Sequence, residues 1–284
     1  MSDTGFTPPP PPPPPPPSGG GGGALTPRGL GDILSTAFEV YKANAAKLIV
    51  IVAIVVIPLA LLASLFANVV FDVETRTVEI GGQSVTTVVD TQGVFTSLIA
   101  AAIGAVIAFV MGFVLQAAVT RAAAQAVIGD PVDAEASYRY GFKRLGSVIL
   151  VSLLVGLILL GGFILLIIPG LIFMVFLAVT IPALVVENKR GTDALGRSWN
   201  LVKGAFWHVL GTILVAGIIV SVVSAIISAI GGDNFLVSWI FTSIAQIITV
   251  PFSALVSVIL YLDLRARQES LTADRLRSEI ALGA

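Results

Sequence analysis

The chain has 284 residues, of which 56% are hydrophobic and 12% are charged, and its formal net charge at pH 7 is -1. Soluble globular domains carry about 25% charged residues, so this composition excludes an ordinary soluble protein and favours one that crosses a membrane several times. The near-neutral charge argues against nucleic-acid binding, and the absence of cysteine excludes disulfides, thiolate metal sites and a cysteine nucleophile.

The N-terminal residues 1–27 are rich in proline and glycine. Ten consecutive prolines, Pro8–Pro17, favour an extended polyproline II rod, and the glycines Gly19–Gly23 that follow favour a flexible joint. Such a segment buries no apolar surface, so we predict a disordered cytoplasmic tail. It serves either as a spacer, which we favour, or as a ligand for a proline-tract-binding protein.

Residues 28–265 are predicted to form a membrane domain with six spans. Its longest uncharged stretch, Leu145–Val186, would be twice as long as the hydrocarbon core of ~30 Å if it were one helix. Pro169-Gly170 lies near its middle, so we predict two spans folded back as a hairpin. The predicted spans are about 48–71, 95–120, 145–168, 171–187, 205–230 and 235–262.

Two amphipathic segments precede predicted spans. Between Leu30 and Tyr41, apolar residues recur at i, i+3, i+4 and i+7, which is typical of a helix lying along the headgroups. The alternative is that these residues are the first turns of the first span. Residues 187–203 show a similar pattern, and Trp199 and Trp207 suit the headgroup layer.

The charges predict the orientation of the spans. Of the 16 Lys and Arg residues, only Arg76 falls on the side opposite to all the others. The positive-inside rule then predicts that both termini are cytoplasmic, in a bacterial inner membrane. On the other side, the extracytoplasmic loop 72–93 contains two Thr/Val-rich runs around Gly81-Gly82, which predict a β-hairpin of Thr75–Ile80 and Gln83–Val89. Residues 266–284 are predicted to form a cytoplasmic helix.

Similar segments recur along the chain. Ala37–Ala43 aligns with Ser198–Gly204, and Ser137–Lys143 is a looser third copy. We therefore predict an all-α polytopic membrane protein built from three helical hairpins, each preceded by a cytoplasmic interfacial helix. Repeats of this kind form a transport site in some proteins, but we favour a duplication that only built a helix bundle.

Chemistry-bearing residues are scarce in the predicted spans. The single histidine, His208, is interpreted as a solvent-reaching interfacial side chain, since a two-histidine metal site needs a second histidine. We predict no catalytic residue, metal or cofactor, and hence no enzyme. The best candidate is a polar face on the sixth span, which is either a polar path or, as we favour, a source of interhelical hydrogen bonds. It consists of Ser238, Thr242, Gln246, Thr249, Ser253 and Ser257.

Several motifs carry a resemblance to a known family. They are Leu30–Leu34, Pro182–Glu187, Ala194–Trp199 and Leu201–Gly204. Residues 28 to 265 resemble the bacterial membrane-domain family related to the membrane portion of glycerophosphoryl diester phosphodiesterases, which includes YciC-like six-span proteins of unknown role. The soluble catalytic barrel of those enzymes has no counterpart here, so the resemblance implies a membrane module without the enzymatic activity.

The sequence thus favours a non-catalytic envelope scaffold or accessory module. The alternative is a small-molecule transporter or lipid-handling protein that uses the polar face of the sixth span. The expected partners are the lipid bilayer, a second copy of the chain or another membrane-complex subunit, and a proline-tract-binding protein.

Overall fold

The structure, a computed structural model, describes residues 26–71, 75–80, 83–88, 91–189, 191–232, 235–269 and 271–282. The predicted disordered tail lies almost entirely outside the described residues. The described chain is mainly helical, and six of its helical stretches are long and apolar enough to cross a membrane. The elements are α1 (Leu30–Phe71), β1 (Thr75–Ile80), β2 (Gln83–Val88), α2 (Thr91–Val127), α3 (Ala134–Leu165), α4 (Ile167–Phe176), α5 (Thr180–Val186), α6 (Thr192–Lys203), α7 (Phe206–Ala229), α8 (Phe235–Gln268) and α9 (Ala273–Leu282).

The prediction of a multi-pass membrane protein is therefore confirmed. Five of these membrane-capable stretches are longer than the predicted spans, four of them because the helix continues past a charged side chain, whereas Phe206–Ala229 is slightly shorter than predicted. The stretches are Leu30–Leu62, Leu98–Val127, Ala134–Leu165, Ile167–Val186, Phe206–Ala229 and Val237–Gln268.

The first amphipathic segment is not a separate element. Leu30–Tyr41 and the first span form one continuous helix, α1. The residues between them contain no glycine or proline, and Ala43, Ala45 and Ala46 favour helix, so nothing in the chain ends the helix there. The structure therefore agrees with the second alternative, in which these residues are the first turns of the first span.

The break between the third and fourth spans lies at Leu166, three residues before the predicted turn. Leu166 is extended, with φ -166° and ψ 152°, and it separates α3 from α4. Pro169 lies in the first turn of α4, where its missing N–H costs no helical hydrogen bond. Gly170 serves close packing instead, since a Cβ there would lie 2.5 Å from Cδ1 of Phe163.

The fourth span is broken, which the prediction of one span over 171–187 missed. A turn at residues 177–179 separates α4 from α5. Pro182 explains its position, because a proline has no N–H for the carbonyl four residues earlier, Ala178, and its ring clashes with that group. The hydroxyls of Thr180 and Ser198 satisfy carbonyls at the break, donating to Leu177 and Phe176 over 2.7 Å each.

The two strands pair as predicted. β1 and β2 are antiparallel, with Thr75 opposite Val88 and Ile80 opposite Gln83. The second strand ends one residue earlier than expected. The Gly81-Gly82 turn lies outside the described residues.

The buried core is centred on α8, which packs against α1, α2 and α7. Its residues Leu255, Ile259 and Tyr261 are fully buried, and Leu48 and Ile51 of α1 are buried in the same cluster. Many large apolar side chains elsewhere face outward, such as Val106, Leu157 and Ile164. An outward apolar surface is what a bilayer solvates, so the burial pattern agrees with membrane spans.

We call one end of the bundle the basic end. It is defined by Arg28, His208, Asp263 and Arg265, which take part in the hydrogen bonds and ion pairs described below. The C-terminal helix α9 packs against this end, since its Leu276 and Ile280 are buried at 1% and 8% exposure. α9 is therefore part of the packed bundle rather than a detached tail helix.

Candidate functional site

A groove lies beside the break in the fourth span. Its volume is about 600 Å³, and it is bounded by α2, by the α4–α5 break and by α8. Its lining is mostly apolar, with polar atoms contributed by Gln116 and Thr120 of α2 and by Ser253 and Ser257 of α8. Such a laterally placed apolar groove with few polar groups fits an acyl chain or another elongated apolar molecule better than an ion.

A second cavity of about 330 Å³ lies beyond the same break. Met174, Gly217 and Ala178 line it, together with Ser253 and Ser257. Ala178, Ser253 and Ser257 therefore stand between the two cavities. The break in the fourth span therefore lies at the boundary of both cavities, since Ala178 belongs to the turn.

The predicted polar face of α8 divides into two parts. Thr242 and Gln246 are exposed on the outer surface, and the Thr242 hydroxyl donates to the Ser238 carbonyl at 2.9 Å. Thr249 is buried and donates to the Ala245 carbonyl of its own helix at 2.7 Å.

Ser253 also donates within its own helix, to the Thr249 carbonyl at 3.0 Å. Ser253 and Ser257 line the cavities, whereas Ser238, Thr242, Gln246 and Thr249 do not line either of the two. A polar path along the whole face stays a prediction. Of the six residues on this face, only Ser253 and Ser257 line either cavity.

A network of ion pairs joins four helices at the basic end. The Arg265 side chain is 1% exposed, and its Nη1 donates to Glu279 of α9 at 2.6 Å while its Nη2 donates to Glu269 at 3.1 Å. Arg197 of α6 donates to Glu187 at 2.6 Å and also pairs with Glu269. The network thus connects the C-terminal end of α5 with α6, α8 and α9.

Tyr261 completes this network by donating its hydroxyl hydrogen to Glu187 at 2.5 Å. Burial raises the pKa of the Glu269 carboxyl, but hydrogen bonds from Arg197 and Arg265 lower it by more, so its pKa lies below the ordinary value. The Glu269 carboxylate is therefore held ionised and paired, which suits a structural role and not proton transfer near neutral pH.

A second cluster surrounds Asp263, whose side chain is fully buried. Its carboxylate accepts the backbone N–H of Arg28 at 2.5 Å and Nε of Arg267 at 2.7 Å. Nε2 of His208 lies 3.1 Å from the same carboxylate. His208 is therefore a partner of Asp263 whose side chain is 20% exposed, and its interpretation as an interfacial, solvent-reaching side chain stays a prediction.

Helix α6 lies within the predicted amphipathic segment, and one of its faces is buried against the bundle. Ala194, Ser198, Leu201 and Val202 are buried. Trp199 stacks on Phe176, with ring centroids 4.0 Å apart and an interplanar angle of 17°. α6 therefore packs against the C-terminal end of α4 at the break.

Sequence reasoning missed both the groove and the ion network. Pro182 was the available signal for the broken helix, because a proline inside an apolar span frees a carbonyl one turn earlier. The network had no such signal, since its members are spread from Glu187 to Glu279. Among the residues that the structure describes, no group of three or more His, Cys, Asp or Glu side chains is arranged to hold a metal ion.

Comparisons of the chain with protein families, with curated proteins and with solved structures found no match. The family resemblance and the role it implies therefore stay predictions.

Proposed function

We propose that the chain is a non-catalytic scaffold or accessory module of the bacterial inner membrane. The observation that supports this most is the ion network at the basic end. Glu187, Glu269 and Glu279 are each paired with arginine and serve to join helices. A packed end of this kind provides a rigid surface on which a partner subunit can assemble.

The proposal includes the orientation and the repeat. The basic end faces the cytoplasm, with both chain termini on that side, and the chain consists of three hairpin units. α1 packs against α2, α3 against α4 and α7 against α8, as the units require, and the units also pack on one another through α2 with α3 and α1 with α8. The positive-inside distribution of lysine and arginine supports the orientation.

Reporter fusions test this topology. Fusions at residue 26 and after residue 282 are expected to be active only with a cytoplasmic reporter, and an insertion within residues 72–93 only with a periplasmic one. The reason is that 15 of the 16 basic residues then lie on the cytoplasmic side. A loop insertion and a terminal fusion that report the same compartment would exclude six spans.

A second candidate function is lipid handling, and the groove favours it. The second span of each proposed hairpin unit contributes to the groove, through Thr120, Pro182 and Val250. Transporters built from repeats have their binding site in a cavity between the repeated units, and the groove has this arrangement. The groove is largely apolar, so its ligand would be an acyl chain or a similar apolar molecule.

Filling the groove tests this candidate. A Cβ at Gly112 would meet nothing within 4 Å, so Gly112→Leu is expected to fold normally and to occupy the groove. We expect lipid transfer or flux in proteoliposomes to fall about tenfold, because a leucine side chain competes with the ligand for the same volume. Gly156→Leu is the matched control, since that glycine is also unobstructed but lies on the outer surface of α3. Equal activity of the two variants would remove the groove from the function.

A further inference from the structure

Two arginines mark the level at which the second and third spans leave the hydrocarbon. Residues 91–120 of α2 contain no charged side chain and are followed by Arg121. The uncharged stretch 145–186, which begins in α3, is preceded by Arg144. In a bilayer, the first charged residue after an apolar run of span length lies near the phosphate layer.

The two arginines are packed around one tyrosine. Arg121 is 5% exposed, and its Cζ lies 4.7 Å from the ring centroid of Tyr140. Arg144 is 8% exposed and follows Tyr140 by one helical turn on the same side of α3. The Tyr140 hydroxyl donates to the Val185 carbonyl at 3.1 Å, which holds the ring in place. Surrounding apolar side chains, including Ala117, Val148 and Leu184, hold this arrangement.

Neither arginine has an acidic partner in the part of the chain that the structure describes. The ion pairs there include Arg265, whose guanidinium meets Glu187, Glu269 and Glu279, but they include neither Arg121 nor Arg144. Nε of Arg121 is buried without a hydrogen-bond partner. Buried cations are normally paired with anions, so two unpaired arginines at one place indicate that an anion from outside the chain completes the site.

We propose that Arg121 and Arg144 bind a phosphate group at the α2–α3 junction. Guanidinium groups bind phosphate by paired, charge-assisted hydrogen bonds, and this explains why both positions are arginine. The phosphate belongs to an anionic phospholipid headgroup or to a soluble phosphate ester. The depth of the site in the membrane favours the lipid.

This site is separate from the groove and goes beyond the scaffold role. Arg121 follows Gly112 by nine residues, which is two and a half helical turns, so the two lie on opposite faces of α2. A phosphate at this site would anchor the α2–α3 pair to one leaflet. The site can therefore be present whether or not the groove carries a ligand.

Native mass spectrometry of the full chain in detergent tests the proposal. We expect phosphatidylglycerol to bind the wild-type protein more tightly than phosphatidylcholine, because the choline cation competes with the arginines for the phosphate. Arg121→Gln and Arg144→Gln are expected to weaken phosphatidylglycerol binding about tenfold each, which corresponds to the loss of one charge-assisted contact. Arg139→Gln is the matched control on α3, since its side chain is 77% exposed and pairs with Glu135. It is expected to change binding less than about twofold, as exposed pairs contribute little.

Competition with inorganic phosphate and glycerol 3-phosphate distinguishes the two sources of the phosphate. If either displaces phosphatidylglycerol from the wild type at similar concentration, the site takes a soluble phosphate. If neither does, the site is specific for the lipid. Equal binding of the two lipids by the wild type, without any binding of the soluble phosphates, would overturn the proposal. So would phosphatidylglycerol binding by the two glutamine variants that matches Arg139→Gln.

Size-exclusion profiles and thermal midpoints show whether the variants fold. If the glutamine variants do not fold, the wild-type titrations and the Arg121→Lys variant test whether the site binds phosphate. The lysine variant keeps the charge but loses the paired hydrogen bonds, so we expect it to retain a preference for phosphatidylglycerol with weaker binding. An Arg121→Lys protein without that preference, alongside a wild type that also lacks it, would exclude the site.

Discussion

Arg265→Ala is expected to lower the free energy of unfolding in detergent by about 3 kcal/mol, because it removes the buried cation that joins three carboxylates. This loss is at the low end of the cost of breaking a buried ion pair, because the three carboxylates keep other partners. Arg197 still contacts Glu187 and Glu269, and Arg275 still contacts Glu279. Thermal and denaturant unfolding of the purified protein, followed by circular dichroism, measures the loss.

Two further variants distinguish the charge effect from a loss of packing. Arg277→Ala removes an arginine of α9 whose side chain is 51% exposed, so its expected cost is below about 1 kcal/mol. Adding Glu279→Gln to Arg265→Ala is expected to recover part of the lost stability, since it removes a carboxylate that the substitution left partly unpaired. A double variant no more stable than Arg265→Ala would show that the charge of Glu279 is not the cause.

Gly141→Ala is the second large expected effect, with a loss of about 1–3 kcal/mol from overpacking. α2 and α3 approach each other closely here, since a Cβ at Gly141 would lie 2.8 Å from the backbone carbonyl oxygen of Val114. A backbone atom cannot move aside as a side chain can. The helices must therefore separate, and this weakens the packing around Tyr140.

The control for this prediction should change in the opposite direction. Gly146 lies on the same helix, and a Cβ there would meet nothing within 4 Å. Gly146→Ala is expected to leave stability unchanged or to raise it by up to about 1 kcal/mol, because alanine favours helix over glycine. Unfolding of the two variants side by side in the same detergent checks the sign. If both stabilise the protein, the close approach of α2 and α3 is not needed for the fold.

These two predictions concern the same end of the bundle. Arg265 joins the C-terminal elements there, and Gly141 sets the spacing of the α2–α3 pair that carries Arg121 and Arg144. Gly141→Ala is therefore also expected to disturb the proposed phosphate site, whereas Arg265→Ala should leave it in place. Measuring phosphatidylglycerol binding by both variants would distinguish a change at the phosphate site from a general loss of stability.

The apolar runs along the chain predicted the class of protein and the number of spans correctly. Whether a run can cross the membrane depends on its summed hydrophobicity, because the free energy of transferring a helix into hydrocarbon depends mainly on its own side chains. The strands at Thr75–Ile80 and Gln83–Val88 were predictable for the same reason, since β-favouring residues flank a two-residue turn. Local patterns failed first at boundaries, as at Leu30–Tyr41, where a span and an amphipathic segment form one helix.

The sites depended on which helix faces meet, and only the tertiary structure decided that. The sequence alone determined that the chain is a membrane protein, because hydrophobicity and length are local properties. The pairing of Arg265 with Glu279, the contact of His208 with Asp263 and the groove at the broken span all depend on how the helices rotate and tilt. Packing between neighbouring helices sets those rotations, and the residues that meet are far apart along the chain, so no single stretch of sequence contains the information.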